Sequence, residues 1–221
     1  MKLNQTEILR YLGYKRQQTL RPEMRQLIEE LSCEVQQISQ PRYTFQIFEL
    51  EVTNDTIVVP QAGVVLPGRS VYKHLQHAQK IALLGVTLGI AIERQIRRYE
   101  ATDLTRAVIL DACCTEYIEK IADLAECDIE QQAGGLTLNR RFSPGYGDLP
   151  LTVQPQLLHA LAAERQLGIT LNENLLMIPR KSITAFTGLF ADEKMARPRR
   201  QRPNCVDCDL TTCPYRVGGK R

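Results

Sequence analysis

The sequence predicts an α+β protein. Segments with helical periodicity are interleaved with short β-branched or alternating segments, but without the regular strand–helix repeat of a parallel α/β fold. The content of 43% hydrophobic and 24% charged residues is that of a soluble globular protein. With 221 residues, the chain is long enough to bury a core of its own.

The first quarter of the chain predicts two helices followed by strands. Leu3–Leu12 and Thr19–Ser39 repeat apolar residues at three- and four-residue steps, which is typical of amphipathic helices. Pro41 ends the second helix, because proline lacks the amide hydrogen that a continuing helix needs. Partial alternation then predicts a strand at Thr44–Val52, and a short strand follows at Thr56–Val59.

The middle of the chain predicts one buried strand among three helices. These are a helix from Ser70 to about Gln79, a strand at Ile81–Val86, a helix over Leu88–Tyr99, and a helix from Asp103 to about Glu126. Leu104 and Val108 of the last helix are expected to face the core. His74 and His77 share one helix face and are expected to be solvated.

The last third predicts a short helix and three strands before the composition changes. The helix is expected at Pro155–Arg165, and the strands at Ile169–Leu171, Leu176–Ile178 and Ser182–Phe190. From Lys194 the chain becomes basic and is interrupted by prolines. We therefore expect one domain over residues 1–193, followed by a basic linker and a cysteine-rich tail over residues 194–221.

Charge and composition exclude several classes of partner. The net charge of +3 is too small to predict nucleic-acid binding across the surface. The longest apolar run, Ile81–Ile92, is too short to span a bilayer, so no membrane partner is expected. Seven cysteines without a secretory signal indicate reduced thiols and a cytoplasmic protein. No phosphate-binding loop or dinucleotide fingerprint is present.

The most informative segment is Arg140–Pro150, which reads RRFSPGYGDLP. Arg141 can bind a carboxylate through two parallel hydrogen bonds. The Pro-Gly pair predicts a type II turn from Ser143 to Tyr146, because the third position of that turn needs a positive φ. The phenol of Tyr146 adds an aromatic face and a hydroxyl. Together these groups suit a small zwitterion, although Pro-Gly alone is more typical of an ordinary surface turn with solvated arginines.

Two ordered motifs resemble the activation domain of cobalamin-dependent methionine synthase. The first is R-x-x-x-G-Y, formed by Arg141, Gly145 and Tyr146. The second is L-x-E-x-x-x-M-x-P-x-x-S-[IV]-[ST], formed by Leu171, Glu173, Met177, Pro179, Ser182, Ile183 and Thr184. The resemblance covers about residues 80–192. It implies that family's fold, a mixed or antiparallel sheet with flanking helices.

In that family the domain binds S-adenosylmethionine and restores cobalamin that has oxidised to cob(II)alamin. An electron arrives, commonly from flavodoxin, and the sulfonium methyl group is transferred to cobalt. The resemblance implies a ligand site in which Arg141 holds the methionyl carboxylate and the remaining contacts come from Ser143, Gly145 and Tyr146. Asp111 and Glu116 are the candidates for the ligand's amino group. No side chain of the chain needs to act as a nucleophile or base.

The other motifs of the full-length enzyme are missing from this sequence. None of the three histidines has an aspartate two residues before it, so the D-x-H-x-x-G motif of a cobalamin domain is absent. We therefore expect a stand-alone activation subunit that acts on a separate cobalamin-binding methionine synthase or related corrinoid protein. The alternative is a non-catalytic module that binds S-adenosylmethionine or a corrinoid protein.

The tail carries a second candidate site. Cys205, Cys208 and Cys213 form C-x-x-C-x-x-x-x-C, a spacing that suits zinc or an iron–sulfur cluster. A fourth ligand is needed, and Cys33, Cys127, a substrate atom or a partner can supply it. An iron–sulfur cluster would deliver the electron that reactivation needs, whereas zinc would only order the tail. The alternative is a reduced tail without metal.

Overall fold

The structure is a computed structural model that describes residues 1–14, 20–53 and 56–196. Its helices are α1 (Gln5–Tyr11), α2 (Pro22–Ile38), α3 (Arg69–Leu75), α4 (Ile90–Thr102), α5 (Leu104–Gln132), α6 (Gln154–Ala160) and α7 (Ala163–Leu167). Its strands are β1 (Arg42–Glu49), β2 (Glu51–Thr53), β3 (Thr56–Val59), β4 (Val64–Leu66), β5 (Lys80–Thr87), β6 (Thr137–Leu138), β7 (Thr170–Leu171), β8 (Met177–Ile178) and β9 (Ser182–Phe190). Short 3-10 turns lie at Pro60–Ala62 and Leu151–Val153.

The central sheet has the strand order β1-β5-β9-β6, and every neighbouring pair is antiparallel. Its long strands pair along their full length, from Lys80 opposite Leu189 to Thr87 opposite Ser182. Strands β2, β3 and β4 form a second antiparallel sheet, and β7 pairs with β8. The predicted α+β class, with an antiparallel sheet and flanking helices, is confirmed.

The central sheet is covered on both faces. In β5, Ala82, Leu84 and Val86 pack into a core shared with α2, α4 and α5. The alternating residues Ile81 and Leu83 pack into a second core, built with α3, α6, α7 and the small sheet. Because both faces are buried, β5 reads as a continuous apolar run in the sequence instead of an alternating one.

Helix α5 is the longest element, with 29 residues. Asp103 begins it by accepting a hydrogen bond from the Arg106 amide at 3.1 Å, and its own amide donates to Tyr99 at the end of α4. The expectation that Leu104 and Val108 face the core is wrong, since they are 66% and 53% exposed. They lie on the first turns of α5, on the side away from the buried residues that the helix shares with the core.

Several boundaries differ from those that the sequence predicts. The strand expected at Thr44–Val52 is divided at Leu50 into β1 and β2, and the helix expected from Ser70 ends at Leu75. The helix expected at Pro155–Arg165 is divided into α6 and α7, because Ala162 takes a left-handed conformation with φ 47°. In the parts of the chain that the structure describes, every helix is too short or too polar to cross a lipid bilayer.

Candidate ligand-binding site

The chain before the Arg140–Pro150 loop is tied to β9. Phe142 and Phe186 form an isolated antiparallel bridge in which each amide donates to the other's carbonyl, at 2.8 and 2.9 Å. Three residues before Phe142, the Asn139 amide donates to the carbonyl of Gly188, two residues after Phe186, at 3.1 Å. The segment therefore continues the sheet edge beyond β6 and sets the position of Arg141.

The side chain of Asn139 locks this segment in register. Its Oδ1 accepts the Gly188 amide at 2.8 Å, and its Nδ2 donates to the His74 carbonyl at 2.9 Å. The Thr187 hydroxyl lies 2.7 Å from the Asn139 carbonyl and donates to it. Asn139 is 2% exposed, and these hydrogen bonds pair the polar groups of its side chain, whose burial would otherwise be unfavourable.

His74 supports the loop from α3. Its Nε2 lies 2.9 Å from the Arg140 carbonyl, and since a carbonyl only accepts, Nε2 carries the proton that is donated. The imidazole also contacts the ring of Phe142, with centroids 5.3 Å apart. The expectation that His74 is solvated is wrong, because the loop segment covers it and leaves 7% of it exposed.

Arg141 points to α5, on the opposite side of the extended segment from Phe142. One terminal nitrogen of its guanidinium lies 2.6 Å from Glu126 Oε2 and 3.1 Å from Asp123 Oδ1. The other lies 2.9 Å from Glu119 Oε2 and 3.1 Å from the same Asp123 oxygen. The three carboxylates are spaced by four and three residues, so they share one face of α5. We call Glu119, Asp123 and Glu126 the α5 acidic cluster.

The α5 acidic cluster keeps Arg141 charged. Burial by itself lowers the pKa of Arg141, but the charges of Glu126, Glu119 and Asp123 outweigh that effect and raise it. Glu126 is buried, whereas the side chains of Glu119 and Asp123 are 41% and 43% exposed. The arginine therefore lies between one buried carboxylate and two that solvent or a ligand can reach.

The residues predicted to receive the ligand's amino group occupy two different places. Asp111 forms an ion pair with Lys181 at 2.9 Å and precedes Asp123 by twelve residues, which is about 18 Å along the helix axis. Glu116 is fully buried and accepts the Asn4 amide at 3.1 Å. Burial raises the pKa of Glu116. The structure thus separates Asp111 from Arg141 and places Glu116 one turn before the α5 acidic cluster.

The predicted type II turn is confirmed. The Tyr146 amide donates to the Ser143 carbonyl at 3.3 Å, and Gly145 has φ 85°, in the region that only glycine adopts readily. The Gly145 amide donates to Leu149 at 2.9 Å, which closes the loop on itself. Tyr146 is 71% exposed, so its ring projects into solvent beside the turn.

The far side of the loop is anchored by Asp148 and Gln154. Asp148 accepts the Ser70 amide at 3.1 and 3.2 Å, at the start of α3. Desolvation raises its pKa, but the hydrogen bonds from Ser70 prevail and the pKa is lowered. Gln154 is buried and accepts the Thr184 hydroxyl of β9 at 3.0 Å. The loop therefore leaves the sheet at Phe142 and returns to it at Thr184.

The second sequence motif builds the start of β9. Lys181 bonds to Asp111 and donates to the Thr115 hydroxyl at 3.0 Å, both on α5. The Arg180 amide donates to Glu93 of α4 at 3.0 Å. The two motifs thus meet on one strand, with the second fixing β9 against the helices and the first lying along its edge.

An open surface groove of about 490 Å³ lies elsewhere, between the 3-10 turn after β3 and α6. It is lined by Ala62, Gly63, Pro155, Gln156 and His159. None of the predicted ligand residues lines it, and it does not contain the α5 acidic cluster. It therefore carries no argument about the Arg141 loop.

The predicted metal ligands Cys205, Cys208 and Cys213 lie outside the residues that the structure describes. Within residues 1–14, 20–53 and 56–196, no group of three or more histidine, cysteine, aspartate or glutamate residues is arranged to hold a metal ion. Cys33 and Cys127 are exposed free thiols. A metal site in the tail stays a prediction from the sequence.

The fold and the site together define a class of domain. It is an antiparallel sheet backed by a long helix, with an arginine loop fixed between the sheet edge and that helix. The chain has the fold of the MetH reactivation domain. A solved structure described as the MetH reactivation domain bound to AdoHcy (S-adenosylhomocysteine) superimposes with a TM-score of 0.59, at 15% identity, over 82% of this chain and 67% of that one. The fold implied by the two sequence motifs is thereby confirmed.

Comparison of the sequence with family models and with curated proteins gives no match. The similarity is therefore one of fold.

Proposed function

We propose that this chain binds S-adenosylmethionine at the Arg141 loop and uses it to reactivate a cobalamin protein. The observation that carries the proposal is the fold shared with a reactivation domain whose structure holds AdoHcy, the demethylated form of that ligand. The loop that carries R-x-x-x-G-Y is built into the sheet edge of the same fold.

Arg141 and the α5 acidic cluster suit the amino-acid end of the ligand. That end carries a carboxylate and an ammonium group, and the site offers a guanidinium beside carboxylates. We expect the ligand's carboxylate to take the guanidinium, while its ammonium takes the exposed Glu119 or Asp123. Glu126, which is 3% exposed at its side chain, stays bonded to Arg141 and holds it in place. In this arrangement Asp111 has no part, because it is paired with Lys181 and lies about 18 Å from Asp123 along the helix axis.

Tyr146 and the turn would position the rest of the ligand. The exposed phenol can lie against the sulfonium, which gains from the negative face of an aromatic ring. Gly145 lets the backbone around Ser143 approach the ligand closely. The chain supplies binding and orientation, and the reactive chemistry belongs to the sulfonium and to the cobalt carried by the partner. A flavodoxin or similar donor would supply the electron.

Calorimetry with S-adenosylmethionine and AdoHcy tests ligand binding. Tyr146→Ala should weaken S-adenosylmethionine binding about 5- to 30-fold, because a desolvated cation–π contact contributes about 1–2 kcal/mol. Tyr146→Phe is the matched control, since it keeps the ring and should bind nearly as the wild type does. Both changes are at a side chain that is mostly exposed, so folding should not be affected. The absence of heat with either ligand would refute the proposal.

Turnover separates a catalytic subunit from a binding module. The wild-type chain, a purified cobalamin protein in its oxidised form, a reductant and S-adenosylmethionine should together yield methylcobalamin and AdoHcy. Formation of both products in equal amounts supports the catalytic function. Ligand binding without turnover, in the presence of a cobalamin protein that the chain demonstrably contacts, would favour the non-catalytic module.

A further inference from the structure

Strand β1 lies at one edge of the central sheet, and the described residues 1–14, 20–53 and 56–196 provide no strand on its outer side. It pairs with β5 over all eight of its residues, from Arg42 opposite Thr87 to Glu49 opposite Lys80. An edge of this length presents a row of backbone amides and carbonyls that can pair with another strand. The outer side of β1 is therefore a candidate interaction surface.

The register of the sheet determines which backbone groups of β1 face outward. Phe186 of β9 directs its amide and carbonyl away from β5, to Phe142, and this direction alternates from one residue to the next along a strand. Followed through the register of β9, β5 and β1, the alternation turns the backbone of Gln46 towards β5. The residues of β1 whose backbone groups face outward are then Tyr43, Phe45, Ile47 and Glu49.

Within the described part of the chain, β1 lacks the features that usually protect a sheet edge. Proteins interrupt such edges with proline, a bulge or charged side chains inside the strand. Between its two charged ends β1 reads YTFQIF, without proline or charge, and its register with β5 is unbroken. Tyr43, Phe45 and Ile47 are only half-buried against the core. The edge is therefore suited to pairing with a further strand.

Helix α5 adds an apolar side chain near this edge. Asp128 accepts the hydroxyl of Tyr43 at 2.5 Å, so this side of α5 meets β1. Leu124 lies four residues before Asp128 and shares that side of the helix. It is 42% exposed. A protein that pairs with β1 can therefore cover aliphatic surface on α5 as well.

We propose that β1 pairs with β1 of a second copy of this chain, antiparallel about a two-fold axis, so that the two central sheets become one. The strand is positive at its start, at Arg42, and negative at its end, at Glu49, whose side chain is 62% exposed. Antiparallel pairing brings the start of each strand to the end of the other, where opposite charges attract. The charge along β1 is thus complementary to that of a second β1.

One register pairs all of the outward-facing residues. With Gln46 opposite Gln46 of the second copy, Phe45 lies opposite Ile47, and Tyr43 lies opposite Glu49. These pairs form about eight hydrogen bonds between the strands. Each Phe45 also gains an apolar neighbour across the strand pair. The segment that carries Arg141 continues the opposite edge of the sheet, so the pairing does not depend on the proposed function.

Sedimentation of the full chain in reducing buffer at low salt tests the pairing. The wild type should show a monomer–dimer equilibrium in the micromolar range, because a single strand pair is a small interface. Gln46→Lys and Gln46→Glu each change an exposed side chain, and each should weaken the dimer about two- to fivefold, since like charges then face each other across the two-fold axis.

An equimolar mixture of these two variants should recover the dimer, because the charges at position 46 are then opposite. Gln26→Lys, at an exposed position of α2, is the matched control and should leave the equilibrium unchanged. A wild type that stays monomeric at every concentration would overturn the proposal. A dimer that responds equally to Gln46→Lys and Gln26→Lys would overturn it too.

Amide hydrogen exchange of the wild type locates the interface without a substitution. The amides of Thr44 and Gln46 face β5 and should exchange slowly at every protein concentration. The amides of Phe45 and Ile47 should exchange rapidly in the dilute monomer and slowly in the dimer, because pairing supplies their acceptors. A dimer that forms without slowing exchange at Phe45 and Ile47 would place the interface elsewhere and refute the assignment.

Discussion

Phe142 and Phe186 exchange both of their backbone hydrogen bonds, and their rings stack with centroids 5.7 Å apart. This pair joins the two sequence motifs, because Phe142 follows Arg141 directly and Phe186 lies two residues after Thr184. The separation of the motifs along the chain therefore disappears in the fold. The arginine loop and β9 form one continuous surface.

Replacing Arg141 should destabilise the protein. Arg141→Ala removes the cation that the α5 acidic cluster shares, including its ion pair with the buried Glu126, so we expect a loss of about 2–4 kcal/mol in the free energy of unfolding. Urea unfolding measures it. Arg140→Ala is the matched control, because that side chain is exposed and only its carbonyl is used by His74. Similar losses for both variants would contradict the role given to the cluster.

Replacing Asn139 should destabilise the loop and the sheet together. Asn139→Ala removes the acceptor of the Gly188 amide and the donor to the His74 carbonyl, both buried, which should lower the free energy of unfolding by about 2–4 kcal/mol. Asn174→Ala, at an exposed turn, should change it by less than about 0.5 kcal/mol. Thermal and urea unfolding of the two variants provide the comparison, and an unchanged Asn139→Ala would show that the network contributes little.

Glu116 should make stability fall as the pH rises through the acidic range. Burial raises its folded pKa above the unfolded value, so between the two values the folded state binds more protons than the unfolded state. Stability is then lost from the unfolded pKa upward until the folded pKa is passed. Glu116→Gln removes this titration and can still accept the Asn4 amide. We expect the variant to gain stability relative to the wild type at pH 7, and the difference to shrink towards pH 4.

The four cysteines of the described chain should fall into two classes of reactivity. Cys33 and Cys127 are exposed, whereas burial raises the pKa of Cys113 to about 11 and raises that of Cys114 further. In a variant with serine at positions 205, 208 and 213, a thiol reagent at pH 8 should label the exposed pair rapidly. The buried pair should react only after unfolding. Rapid labelling of all four in the folded protein would contradict the packing of α5.

The sequence predicts the elements of this fold better than it predicts their surroundings. Periodicity locates α2 and α5, and the apolar run locates β5, because these patterns follow from one face or two being buried. Periodicity does not say which side of a helix with many apolar residues meets the core. Leu104 and Val108 are therefore predicted to be core residues, although they are exposed while their neighbours Ala107, Ile109 and Leu110 are buried.

The candidate site, too, could be predicted from the sequence only in part. The turn at Gly145 follows from local chemistry and could be predicted, because a positive φ restricts the residue type. The partners of Arg141 are set by the packing of α5 against β9, which no local pattern encodes. The four- and three-residue spacing of Glu119, Asp123 and Glu126 was the available signal. It shows that they share a helix face, but the face that meets the loop depends on the tertiary fold.

Asp103 joins the two helices that support the candidate site. One residue ends α4 through its amide and begins α5 through its carboxylate, so the two helices meet at a corner without a linker between them. The same helices hold Arg180 and Lys181 at the start of β9, and α5 holds Arg141 near its other end. The start of β9 and Arg141 are therefore both attached to one pair of directly joined helices, so a single support sets the separation between the two sequence motifs.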